Sequence, residues 1–181
     1  TTPSTTVKKY YGNAYPFVSP ADLGTSKYVT ETRKRLSQEG LKESRPVPPK
    51  SVLVTCISSY DVIGKSGMST TTVTTNQQIN SIVCYDTVNP DFLYYALDHH
   101  RRRIQTYAVR SGGHFAIITK EIFSRIPMPK ASTLEQDRIA RILSEVDNRI
   151  EREKFTRDKL DELKKGLMQA LLTGKVRVKV G

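Results

Sequence analysis

Gly64-Lys65-Ser66 is the triplet in this chain that comes nearest to reactive machinery. A phosphate-binding loop ends in Gly-Lys-Ser or Gly-Lys-Thr, with a further glycine five residues before the second one. Ser59 occupies that earlier position, and the residues after Ser66, GMSTTTVTTN, do not read as a helix. The helix N-terminus that would cradle a phosphate is missing, so nucleotide binding is not expected. The histidines are His99, His100 and His114, and no cysteine or carboxylate pattern beside them makes a metal cluster. His99 and His100 belong with Arg101, Arg102 and Arg103 to a basic helix end, which suits the helix dipole. Three successive arginines point different ways around a helix, so one or two at most can face one partner. There is no G-x-S-x-G, no H-E-x-x-H and no N/D-P-P-Y/F tetrapeptide, and Cys56 has no histidine near it in sequence. We expect no chemistry from this chain alone, no metal and no bound cofactor.

Binding chemistry is better represented. Lys8-Lys9-Tyr10-Tyr11 sets charge beside aromatic rings, and Arg33-Lys34-Arg35 is followed closely by Lys42 and Arg45. Lysine and arginine hold phosphates, and arginine can also read guanine. Asn76-Gln77-Gln78 supplies amides of the kind that read adenine, although a hydrogen-bond network within the fold is the commoner use.

Charge points the same way. Net charge is +11, and residues 1–131 account for +8 of it. Residues 132–173 carry nine basic and nine acidic side chains, and the tail 174–181 adds Lys175, Arg177 and Lys179. A basic globular part suggests a polyanion partner, whereas a balanced stretch suits a solvated, salt-bridged helix. Cys56 and Cys84 lie in apolar runs and read as reduced core thiols. No signal peptide and no run of 18 apolar residues is present, so a cytoplasmic protein without a membrane segment is expected. The chain opens at Thr1 without methionine, so a fragment or a processed product is expected.

Positioning elements follow from patterning. Residues 1–26 read as loops around a short strand, Tyr15 to Val18, and residues 27–35 could hold another. SQEGLKES (37–44) reads as one helical turn and RPVPPK as a turn. Ser51–Ile57 (SVLVTCI) is a buried strand, 58–75 a loop, and TNQQINSIVCYD (75–86) a second strand region. Pro90 opens a helix over NPDFLYYALDHHRRRIQTYA. A Gly-Gly loop over 111–115 leads to Ala116–Ile118, then to a short helix near Lys120–Phe123 and an IPMP strand. The class is α+β: a globular mixed domain over 1–131, one long helix over 132–173, and a basic tail or short strand over 174–181.

That helix is the longest signal in the chain. Ser132 to Thr173 contains no proline, and Gly166, near its end, is its single glycine. Roughly 40 residues make a rod of about 60 Å. Ser132 with Glu135 forms a capping-box pattern, and Gly174 stands where a C-terminal cap belongs. Ile139, Ile142, Val146, Leu160, Leu163, Leu167 and Ala170 share one heptad line. Arg149, Glu153 and Thr156 interrupt it, with Ile150 and Phe155 beside it. Such a seam asks for a coiled-coil partner.

Four stretches, in order, resemble the specificity (S) subunit of type I restriction–modification enzymes. They are TTPSTTVKKYYGNAYPFVSPADL, SQEGLKESRPVPPKSVLVTCIS, TNQQINSIV, and IPMPKASTLEQ running on through the helix to GKVRV. Two segments depart from the family pattern: SSYDVIGKSGMS has extra residues, and the helix start, KASTLEQ, lacks a second proline. The resemblance implies a target-recognition domain followed by one of the family's paired helices, hence half a subunit. It implies one half of a split DNA target, a second copy or second half met through the long helix, and docking of modification (methyltransferase) and restriction subunits. S-adenosylmethionine and the adenine chemistry would belong to the modification subunit. On this reading Lys8, Lys9, Tyr10, Tyr11, Arg33, Lys34, Arg35, Asn76, Gln77 and Gln78 are the DNA contacts. Ile139, Ile142, Val146, Leu160, Leu163 and Leu167 form the coiled-coil interface. The alternative is a non-catalytic coiled-coil scaffold with a basic surface and no sequence-specific DNA reading.

Overall fold

The structure is a computed structural model and describes residues 2–110, 114–179 and 181. It divides into two compact units, Thr1–Ala140 and Arg141–Gly181. Composition places the boundary at 131/132, but the first unit continues through the opening two turns of the long helix.

The strands are β1 (Tyr11–Val18), β2 (Tyr28–Val29), β3 (Lys34–Leu36), β4 (Val52–Thr55), β5 (Ile57–Ser59), β6 (Ser66–Ser69), β7 (Thr74–Thr75), β8 (Ile79–Ile82), β9 (Val109–Arg110) and β10 (Phe115–Ile117). The helices are α1 (Gln38–Lys42), α2 (Pro90–His99), α3 (Arg101–Thr106), α4 (Lys120–Ser124) and α5 (Thr133–Leu172). Among the described residues the strands form three small sheets, ordered β3-β1-β7, β5-β10-β9 and β2-β6-β4-β8. The class is α+β, with mixed sheets followed by one long helix.

The centre of the first unit is β4, and its sequence shows why. Every residue of VLVT is buried, so the run is apolar without the alternation of a half-exposed strand. Alternation survives as a choice between two cores. Val52 and Val54, with Cys56, pack into a cluster that also holds Ile63, Leu97, Ile104 and Ile118. Leu53 points into the other, with Val18, Leu23, Val29 and Val73. The apolar run does not stay in one sheet. At Cys56 the chain leaves the β4 sheet and enters the β5 sheet. The Cys56 N–H donates to the Gln78 carbonyl at 2.8 Å, and its carbonyl accepts from the Ile118 N–H at 2.8 Å. Burial pushes the Cys56 thiol up to about 12, against small opposing contributions from Asn80.

Several elements differ from the expectations. The stretch 58–75 contains buried β6, which pairs with β4 from Val52↔Met68 to Val54↔Ser66. Its Ser-Gly-Met-Ser sequence carries little strand propensity, so burial between β2 and β4 overrides propensity there. The second strand region contracts to Ile79–Ile82, and IPMP forms no strand. The helix from Pro90 divides at His100 into α2 and α3. The tail residues 177–179 form no strand. The 111–115 loop lies partly outside the described residues.

Gly64-Lys65-Ser66 is a strand entry. Gly64 is buried with φ +76, and its N–H donates to the Thr55 carbonyl at 2.9 Å. Ser66 opens β6, so the triplet runs into a strand and not into a helix of its own. Arg101, the first of the three arginines, donates to the carbonyls of Ile63 and Asp61 and braces the same turn. Arg102 and Arg103 are exposed.

The start of α5 is anchored by a residue that periodicity does not flag. Gln136 is buried, and its Nε2 donates to the Ala131 carbonyl at 2.9 Å and the Thr87 carbonyl at 3.3 Å. Its Oε1 accepts from the Asn89 N–H at 2.9 Å, while Asn89 caps α2 by accepting from the Phe92 N–H. One amide therefore ties the first turn of α5 to the first turn of α2. Ser132 caps α5 by accepting from the Glu135 N–H at 3.3 Å.

Taken by itself, the second unit is almost all surface. Ile142, Val146, Leu160, Leu163 and Leu167 are 50–60% exposed, and Leu143, Ile150 and Leu171 are exposed as well. Phe155 sits at a heptad c position, off the a/d line, and Lys159 lies over its ring at 4.4 Å. Gly174, at φ +74, ends the helix, and the Val176 N–H closes back on the Ala170 carbonyl at 3.0 Å.

Candidate nucleic-acid interface

Lys8, Lys9 and Tyr10 form a short 3-10 turn that leads into β1 at Tyr11. The turn is held against α1. Ser37 caps α1 by accepting from the Gly40 N–H, and its own hydroxyl donates to the Lys9 carbonyl at 2.6 Å. Gly40 is required there, because a Cβ at this position would stand 2.0 Å from the Tyr10 carbonyl oxygen. The glycine thus lets the basic turn seat on the helix. Lys8 and Lys9 stay exposed, and the Lys9 ammonium lies 5.6 Å from the Tyr10 ring centre.

The second basic group lies on and just before β3, which pairs antiparallel with β1 and sets Lys34 opposite Phe17. Its three members do different things. Arg33 and Lys34 are exposed, and the Lys34 ammonium lies 5.9 Å from the Tyr11 ring centre. Arg35 is half-buried and donates to the carbonyls of Asn13 and Ala14 at 2.9 and 3.1 Å, across a stretch where the β1–β3 register shifts. It satisfies backbone groups that the irregular pairing would leave open. Tyr11 is likewise engaged, donating to the Pro3 carbonyl at 3.1 Å. Tyr11, Asn13, Thr32, Arg33, Lys34 and Arg35 line an open cleft of about 500 Å³, with Thr5 at its edge.

The amide triplet splits in the same way. Asn76 donates to the Gln78 side chain at 2.7 Å, and Gln78 donates to the Ile57 carbonyl at 3.0 Å. The Gln78 carbonyl also receives the N–H groups of Cys56 and Ile57. These two amides fasten the crossing from β4 to β5. Gln77 is exposed, and its Oε1 accepts from the Thr2 hydroxyl at 2.7 Å.

Gln77 and Thr2 stand in a larger cleft of about 720 Å³ that sequence reasoning did not foresee. Arg45 and Lys120 also line it, from segments 75 residues apart. Tertiary structure therefore brings Gln77, Arg45 and Lys120, remote in sequence, to one cleft, while Arg33 and Lys34 line the other. Arg45 had a signal, as the last of a dense basic run, whereas Lys120 had none. Among the described residues no three metal-ligating side chains meet, and no helix is long and apolar enough to cross a membrane.

The family model for the type I restriction modification DNA specificity domain matches residues 1–164. The chain belongs to that family. It is 29% identical to the type I restriction enzyme HindI specificity subunit of Haemophilus influenzae, over 97% of this chain and 38% of that subunit. It is 28% identical to the MjaIX specificity subunit of Methanocaldococcus jannaschii, over 90% of this chain and 38% of that subunit. Among solved structures, a chain from work on complex assembly and conformational transition of the type I R-M system superposes with a TM-score of 0.64. Identity there is 21%, covering 93% of this chain and 40% of that one, so this likeness concerns the fold. The chain thus spans about two-fifths of the length of the relatives it matches.

Proposed function

We propose that this chain is a DNA-reading arm of a type I restriction–modification specificity subunit. It reads one half of a bipartite target in double-stranded DNA through the first unit and performs no chemistry itself. The carrying observation is that Arg33 and Lys34 stand exposed on one open cleft of the basic unit, with Lys8 and Lys9 exposed on the turn that leads into β1. Among the described residues none of the four makes an ion pair, so their charge is available to phosphates. Family membership supports the same reading.

The second unit supplies assembly. Ile142, Val146, Leu160, Leu163 and Leu167 expose apolar surface along the heptad line, which a matching helix would cover. For the isolated chain that helix is a second copy; in a longer subunit it is the second half. Two copies related by a two-fold axis would read a split palindrome. Ile139 is half-buried within the first unit, so it contributes to docking of the helix start as well as to the seam. Modification and restriction subunits would bind the assembled subunit, and S-adenosylmethionine would arrive on the modification subunit.

Selection from a random duplex library tests the reading. Enrichment of a defined half-site is expected. Equal binding of enriched and random duplexes would leave the scaffold alternative, a coiled-coil protein with a basic surface.

A further inference from the structure

The larger cleft carries two cations that are not among the DNA contacts named so far. Among the described residues its charged members are both cations, Arg45 and Lys120, and no carboxylate lines it. Among the described residues neither cation makes an ion pair. The Ser81 hydroxyl and the Gln77 amide also line it, over an apolar floor that includes Ile79 and Phe123, while the Ser44 and Ser124 hydroxyls donate to the carbonyls of Leu41 and Glu121. Two like charges in one concavity repel each other, and a bound anion turns that repulsion into attraction. Hydroxyl and amide donors beside lysine and arginine are the groups that hold phosphate oxygens.

Shape decides which part of the nucleic acid enters. Base edges are read by side chains that protrude into a groove, whereas a concave cleft accepts the convex sugar-phosphate ridge.

We propose that the Arg45–Lys120 cleft clamps the sugar-phosphate backbone of one DNA strand, a positioning contact without sequence preference. It rests on the DNA-reading function above, but its test does not need the target. Binding of the full chain to a random-sequence duplex is measured by fluorescence anisotropy between roughly 50 and 200 mM salt. Arg45→Gln and Lys120→Gln should each flatten the slope of log affinity against log salt by about 0.9 and weaken binding several-fold. Arg45→Lys should restore the slope. An unchanged slope in both glutamine variants, with folding verified by circular dichroism, would overturn the clamp. So would a loss confined to an enriched target with random duplex unaffected, because that marks base reading. If the unmodified chain fails to prefer enriched duplexes, sequence reading fails, yet the slope comparison on random duplex still decides the clamp.

Discussion

The two units treat their apolar side chains in opposite ways. In the first, Val18, Leu36, Val52, Leu53, Val54, Ile63, Val73 and Ile104 are fully buried, and the surface carries excess positive charge. In the second, Val146, Leu160, Leu163 and Leu167 are at least half exposed on a helix of nearly balanced charge. A fully buried leucine contributes about 1.5–3 kcal/mol, so the first unit holds its own stabilisation. The second leaves the same contribution unrealised, and on the proposed assembly another helix would realise it. Substitutions in the two units should therefore fail in different ways.

The sharpest break in that comparison is Val146→Asp with Leu163→Asp. The isolated chain should form a dimer near 41 kDa, twice its 20.4 kDa mass, and the double variant should run as the monomer in light scattering. Four buried carboxylates per dimer should weaken pairing by more than about a thousand-fold. Melting of the first unit should be unchanged. A variant that still dimerises would refute the seam.

Leu53→Ala should do the reverse, costing about 3 kcal/mol of unfolding free energy in urea, because the cavity opens beside fully buried neighbours. Leu160→Ala, at a residue 60% exposed, should cost under about 0.5 kcal/mol in the monomer. Equal losses at the two positions would erase the distinction between the units.

Charge reversal at Arg33 and Lys34 should weaken duplex binding about 30-fold at low salt and lower the salt slope by about two. The Asn76→Ala change should act through stability, since that amide bonds Gln78. If Arg33→Glu with Lys34→Glu leaves the salt slope untouched, DNA does not cross this surface.

The smallest effect concerns pH. The Cys56 thiol is raised from about 9 to about 12 in the folded protein. The unfolded chain therefore loses its proton first as pH rises, and stability falls between pH 9 and 12. The loss should reach about 1.4 kcal/mol by pH 10. Cys56→Ala should remove that slope in urea titrations, while lowering stability at neutral pH. Lys27 acts in the same direction at higher pH. Burial alone would lower its ammonium, but Asp91, at 2.5 Å, and Tyr95 raise it above the usual lysine value.

Much of this was legible one segment at a time. The α5 span follows from an uninterrupted helical pattern with a serine before it and a glycine after it, all within neighbouring residues. Strand β4 follows from a continuous apolar run, and α1 from the helical turn read in SQEGLKES. Strand β6 was not legible. Ser66-Gly67-Met68-Ser69 carries no alternation, and only its neighbours β2 and β4 make it a strand. The split of Arg33-Lys34-Arg35 was hidden for a similar reason. Three adjacent cations look alike in sequence, and the β1 register shift alone assigns Arg35 to backbone carbonyls.

The sequence by itself determined the family, the α+β class, the charge asymmetry and the heptad line, because each depends on residue type and spacing along the chain. Tertiary structure decided which amides are spent on the fold, where the first unit ends, and that Arg45 and Lys120 share one cleft. Those facts depend on contacts between segments tens of residues apart. No local pattern records them, because the chain's path through three small sheets sets them.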